Sequence, residues 1–410
     1  MPKEQMDLVF GLDIGTAKVM VVAAEVLPDG ELRVAGLGVA PAHGLKRGVV
    51  VNIDATVQSI QQALKEAEMM AACKIDRVYT GITGSHIRGQ NSTGMVIVRD
   101  NREVTPVDVT RVIETAKAIN IPGDQRLLLV EPQEYVIDGH EVKEPIGMSG
   151  SRLEVKVHIV TGAQSAAENI LKCVRRCGLE VERLVLNPSA SAAAVLTEDE
   201  KQLGVAVVDI GAGTTDVQIY TEGSVRHTAV IPIAGDLVTS DIAMALRTPT
   251  KDAEEIKVEH GVAKQLLADP AEQVEVPGLG DREPRMLSRQ ALAGVIEPRV
   301  EEIFSLVHQV IRESGYEELL SSGVVLCGGS AVMPGMVELG EDIFLKPVRK
   351  GLPTYRGALA DMVANPRSAT VMGLLEDARL ARARGQRAAA QGGSMSTLIG
   401  RARDWLLGNF

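Results

Sequence analysis

Asp209, Gly211, Gly213, Thr214 and Thr215 fall together in the run VAVVDIGAGTTDVQIY, residues 205–220. Glycines let a backbone turn sharply and bring its N–H groups onto an anion, and the two threonines add hydroxyl donors, so the set suits phosphate. A carboxylate at Asp209 makes sense among phosphates when Mg²⁺ lies between them. Taken alone, the run also fits an ordinary β-hairpin with a DG-like turn.

The theme occurs twice. Residues 8–26, LVFGLDIGTAKVMVVAAEV, again place an acid, Asp13, before a turn at Gly15 and Thr16, and add Lys18, a point charge suited to β- or γ-phosphate oxygens. Two strand–DIG–turn–strand units predict two similar lobes facing each other across a cleft. A third strand and glycine turn, with Gly328, Gly329 and Ser330, lies in GVVLCGGSAVMPGM at residues 323–336.

The elements that must position these loops follow from periodicity. Val205, Val207 and Val208 make a buried strand, and Val217, Ile219 and Tyr220 carry the chain back. Val57, Ile60, Ala63, Leu64, Ala67 and Met70 share one face of a helix over residues 55–72. From about Ser85 the texture changes into a compact α+β insert without a phosphate-like glycine loop, which points to protein contacts. NPSASAAAV, starting with Asn187 and Pro188, predicts a small-residue helix able to pack closely, and Gly373 in SATVMGLLEDARL does the same for a late helix. Residues 268–286 read as a solvated excursion, and the long helix after it is expected to break near Pro298.

The expected division is a first lobe over residues 1–84, an inserted subdomain over 85–162 and the first lobe again over 163–203. The second lobe covers 204–245, with a smaller subdomain over 246–310, and resumes over 311–368. A closing helix of the first lobe spans 369–384, and a linker, GQRAAAQGGS, spans 385–394. Residues 395–410 then place Leu398, Ile399, Ala402, Trp405 and Leu406 on one side of an amphipathic helix ending at Phe410. With no core left to cover, that face predicts an interfacial membrane anchor, the other reading being docking on a partner or on the body of the protein.

Composition sets the frame. The 410 residues, 45% apolar, fit a two-lobe α/β protein, and a net charge of −11 disfavours nucleic acid. Cys73, Cys173, Cys177 and Cys327 are not spaced as a disulfide or metal framework and read as reduced thiols. The first residues carry no apolar signal region, and no run reaches the length of a membrane span.

The order of two DIG hairpins, small-residue helix, GGS turn and ATVMGL helix resembles the actin, hexokinase and DnaK-type chaperone ATPase superfamily. Within it, PQEYVIDG and PIGMSGSRLEV in the insert, HTAVIPIAGDLVTSDIA followed by EEIKVEHG, and the terminal helix resemble the FtsA family of bacterial cell-division proteins. The resemblance implies an actin-like two-lobe fold of duplicated ribonuclease H-like domains that binds ATP with Mg²⁺. It assigns Asp13, Gly15, Thr16 and Lys18 to the first phosphate loop and Asp209, Gly211, Gly213, Thr214 and Thr215 to the second. Asp13 and Asp209 would hold Mg²⁺ through water. Gly235 and Asp236 would lie near the phosphates and ribose, Glu254 and Lys257 at ribose and adenine, and Gly328, Gly329 and Ser330 beside the adenosine. From the residues alone, Glu254 and Lys257 could equally be a solvated i,i+3 pair.

One departure bears on mechanism. Chaperone-type members carry Glu-Pro where this chain has Asn187-Pro188. An amide orients a water without accepting its proton, which leaves Asp216 as the base and implies slow hydrolysis at most. As partners the resemblance implies the C-terminal peptide of FtsZ, docking within residues 285–299 near Arg289 and Arg299, other copies of the chain in a filament, and further division proteins at the insert. The setting it implies is the cytoplasmic face of the inner membrane at the division site, as a peripheral protein. The alternatives are a small-molecule kinase and a pilus-assembly scaffold on the same fold.

Overall fold

The computed structural model describes residues 7–99, 103–280 and 282–390. The membrane-anchor residues Leu398, Ile399, Ala402, Trp405, Leu406 and Phe410 lie outside them. Two five-stranded sheets share one plan. In the first, Leu8–Ile14, Lys18–Val26 and Leu32–Pro41 form an antiparallel meander, and Arg77–Ile82 then Glu180–Leu186 add in parallel beside the first strand. In the second, Val205–Ile210, Thr215–Thr221 and Ser224–Ile231 form the meander, with Val324–Cys327 and Val348–Lys350 in parallel. The duplication expected from the DIG repeat is therefore a duplication of topology.

Helices cover both faces of these sheets, so their central strands are apolar up to the acids Asp13 and Asp209 rather than alternating; every residue of Val205–Ile210 is buried. Helix Ile53–Ala71 starts on Asn52, whose side chain accepts from the Ala55 N–H at 3.1 Å. Glycines in the facing strand let it approach: a Cβ on Gly38 would lie 2.0 Å from the Ala63 carbonyl oxygen. On the opposite face, helices Asn187–Val195 and Ala369–Ala390 cross so closely that a Cβ on Gly373 would lie 1.7 Å from the Ala190 carbonyl oxygen.

The insert is the α+β unit its sequence predicts. Strands Arg88–Ile97, Arg152–Ala163, Gln125–Ile137 and His140–Val142 form an antiparallel sheet backed by helix Pro106–Lys117. A capping box between Thr105 and Asp108 starts that helix. Its sheet leans on the second lobe through a buried polar chain. His158 bonds to Asn91 Oδ1 at 2.7 Å and to Thr228 Oγ1 at 2.9 Å, and Gln218 Nε2 donates to Thr228 Oγ1 at 3.2 Å. Gln133 Nε2 adds a bond to the Val225 carbonyl at 2.7 Å. Burial holds His158 down at about 4, so it is neutral at physiological pH.

Glu131 stands directly opposite His158 across the insert sheet, half-buried near Tyr220 and Lys201. Burial pushes its carboxyl up to about 7, against the pull of Lys201. The folded state then keeps a proton that the unfolded chain has released. The stability this contributes is complete below the ordinary Glu range and is lost as pH rises through about 7. Glu131→Gln is expected to remove roughly 1–2 kcal/mol of the wild-type decline between pH 5 and pH 8, as read by denaturant unfolding at both.

Three sequence expectations change. Helix Arg289–Ser314 runs unbroken through Pro298, because Ile296, Val300, Ile303, Phe304 and Val307 are buried on both sides of it and packing outweighs one missing N–H. The excursion at 268–286 contains a hairpin, Gln273–Val276 with Arg285–Ser288. The closing helix runs on to Ala390, beyond the expected end at 384, since its Arg- and Ala-rich sequence favours helix and Arg382 pairs with Asp7 and Glu182.

Candidate nucleotide-binding cleft

The two DIG turns are built alike. The Gly15 N–H donates to the Lys18 carbonyl at 2.9 Å, and the Gly211 N–H to the Thr214 carbonyl at 2.9 Å. Asp13 and Asp209 thus occupy equivalent places at the ends of the two central strands, both buried. Lys18 Nζ sits 3.7 Å from Asp13. Burial is the main cause raising the Asp13 carboxyl; Lys18 opposes it and Asp209 adds to it, so the acids face a common space. Burial likewise lowers the Lys18 ammonium.

Asp209 accepts from Ser191 Oγ at 2.5 Å and Thr370 Oγ1 at 3.2 Å. These hydroxyls come from the two crossing helices. Burial raises the Asp209 carboxyl, and the two donors oppose that shift. Two deep carboxylates with a lysine beside them match a phosphate-bound cation. Among the described residues no three His, Cys, Asp or Glu side chains form a direct metal cage. As the resemblance implies, Asp13 and Asp209 would hold an ion through water, the habit of Mg²⁺.

Asp216 accepts from Thr83 Oγ1 at 2.9 Å, and burial, then Asp209, push its carboxyl up to about 8. Both effects favour the protonated form over the carboxylate a base needs. Asn187 opens its helix with a buried Oδ1 that has no protein partner, and a Cβ on Gly81 would lie 2.1 Å from that oxygen. An amide at this position can orient a water but cannot take its proton.

The rest of the cleft wall closes around Gly211. Its carbonyl accepts from Ser330 Oγ at 3.0 Å and the Gly235 N–H at 3.1 Å, while the Asp236 N–H donates to Ala212 at 2.8 Å. Gly328 needs its positive φ of 85° and lack of a side chain, since a Cβ there would lie 2.3 Å from Asp209 Oδ1. Glu254 and Lys257 are more than a solvated pair. Lys257 Nζ lies 2.6 Å from Glu254, 3.2 Å from the Gly235 carbonyl and 2.8 Å from Thr239 Oγ1, tying its helix to the one that starts at Gly235.

Residues 206–373 match the family model described as Cell division protein FtsA, and residues 84–161 the model of the SHS2 domain inserted in FTSA. The sequence is 54% identical over 410 residues to Cell division protein FtsA of Pseudomonas aeruginosa, covering 98% of each chain. The chain belongs to the FtsA family. It is also 50% identical over 378 residues to the FtsA of Neisseria meningitidis, covering 92% of this chain and 91% of that one. Among solved structures it resembles the PilM-PilN type IV pilus biogenesis complex, with a TM-score of 0.65 and 19% identity over 90% of this chain and 98% of that chain. It also resembles MreB 5 of Spiroplasma citri bound to AMPPNP, with a TM-score of 0.55 and 14% identity over 93% and 98%. At such identities these likenesses show the fold, which is actin-like with an SHS2 insert.

Within this FtsA-family chain direct contacts link the two loops, Gly235–Asp236, Lys257 and Ser330, all named from the sequence. Arg289 and Arg299 lie away from it and are not free cations: Arg289 pairs with Glu272 at 2.8 Å, and Arg299 with Asp241 at 2.5 Å and with Glu302. Sequence reasoning missed Ser191, Thr370 and Thr83. Each stands in a small-residue run with another hydroxyl two residues away, and nothing local marks which of them serves an acid.

Proposed function

We propose that this chain is an ATP-binding scaffold of cell division that polymerises, hydrolyses ATP slowly at most, and ties the FtsZ ring to the membrane. The observation that carries the reading is the pair of buried, electrostatically coupled acids, Asp13 and Asp209, at the tips of duplicated hairpins, with Lys18 Nζ 3.7 Å from Asp13. The actin-like neighbour bound to AMPPNP supports a nucleotide in this cleft. The raised carboxyl of Asp216 and the amide at Asn187 support ATP as a ligand governing lobe closure and filament contacts more than as a rapidly consumed substrate. The FtsZ peptide would dock on the smaller subdomain within residues 285–299, near Arg289 and Arg299. Neighbouring copies and later division proteins would meet the insert.

Among the described residues no helix is long and apolar enough to cross a membrane. Attachment to the cytoplasmic face of the inner membrane is assigned to the amphipathic residues 395–410. The test is sedimentation with anionic vesicles, with and without Mg-ATP, of the whole chain and of one ending at Ala390. The whole chain is expected to pellet with lipid as ATP-dependent filaments, and the shortened chain to stay behind. Equal pelleting removes the anchor, and ATP binding without assembly on lipid removes the scaffold.

A further inference from the structure

The turn Lys46-Arg47-Gly48 joins the short strands Leu45–Lys46 and Val49–Val50 of the first lobe. It touches both phosphate loops. The Gly48 N–H donates to Thr16 Oγ1 at 3.2 Å. A Cβ on Gly213 would lie 2.9 Å from Arg47 Cα and 3.0 Å from Arg47 N, so the second loop presses on this turn with its bare backbone. On its other side a Cβ on Gly48 would meet Thr83 at 3.2 Å, and Thr83 is the donor to Asp216. The turn therefore borders the end of the cleft where the terminal phosphate and the attacking water belong.

Arg47 is held there at a φ of 50°, a left-handed conformation that a long side chain adopts only under constraint. Its side chain is exposed and makes no ion pair among the described residues, unlike Arg289, Arg299 and Arg349. A guanidinium without a carboxylate, in a chain of net charge −11, beside two anion-binding loops, has its complement in a phosphate. We propose that Arg47 is a phosphate ligand that binds the terminal phosphate of a nucleoside triphosphate held between the two loops and so favours ATP over ADP. This rests on the nucleotide reading of the cleft.

The experiment is calorimetric titration of Mg-ATP and Mg-ADP into the full chain, as wild type, Arg47→Met, Arg47→Asn and Arg47→Lys. Asparagine tolerates the left-handed backbone, so that variant separates loss of charge from loss of fold. Met and Asn are expected to weaken ATP by about tenfold or more and ADP by no more than about threefold, the scale of one charge-assisted hydrogen bond. Lys is expected to recover part of the loss as a point charge without the fork. Wild-type and variant ATP/ADP ratios that agree, whether both affinities hold or both fall, overturn the assignment. A wild-type chain that binds neither nucleotide overturns the nucleotide reading and the assignment with it.

Discussion

Gly373→Ala is expected to lower the free energy of unfolding by about 3 kcal/mol, the upper end for overpacking. Helix propensity acts the other way by about 1 kcal/mol, since alanine is the better helix former. The contact decides the sign: the new methyl would lie 1.7 Å from the Ala190 carbonyl oxygen and 2.3 Å from its carbon, and backbone cannot swing aside as a side chain tip does. Helices Asn187–Val195 and Ala369–Ala390 must separate. Because they supply Ser191 and Thr370 to Asp209, the same step loosens the support of the cleft acid. Denaturant unfolding of the variant gives the first effect and nucleotide titration the second. Unchanged stability would mean that the crossing has slack the geometry denies it.

Asp209→Asn is expected to act in opposite directions on the free and liganded protein. In the free protein it removes a buried carboxylate whose ionisation burial already disfavours, so the melting temperature holds or rises. With Mg-ATP the upward shift in melting temperature should disappear, because an amide is a poor partner for a hydrated dication. Loss of about 100-fold in affinity removes about 2.7 kcal/mol of ligand stabilisation at saturating nucleotide. Melting curves of both proteins with Mg-ATP, and with ATP plus a chelator, read this directly. A full ATP-dependent shift in the variant would sink the assignment of Asp209.

The parts of this molecule that were legible in its sequence are those where one local pattern has one physical meaning. Asp-Ile-Gly at the end of an apolar strand fixes the acid and its turn, and Gly373 within an otherwise apolar helix marks a close crossing. Pro298 misled because its cost is local while the packing of Ile296 and Val300 that overrides it comes from elsewhere. Ser191, Thr370 and Thr83 were invisible for the converse reason: a hydroxyl declares no partner until three distant segments meet. Arg289 and Arg299 read as cations open to a partner peptide, because nothing near them in sequence declares their partners Glu272 and Asp241.

The insert begins after strand Arg77–Ile82 and ends before helix Gln164–Arg176, both parts of the first lobe, yet its sheet is bonded through His158 to Thr228 of the second. It is a strut across a joint. Thr228 bonds Gln218, which stands two residues from Asp216 on the same strand, so the strut is footed beside the candidate cleft. Any change in the angle between lobes must shear that polar seam or swing the insert as a rigid arm. In the second case exposed Met95 and Ile97 on its edge strand sweep through an arc, and the state of a buried cleft becomes a position that a neighbour can touch.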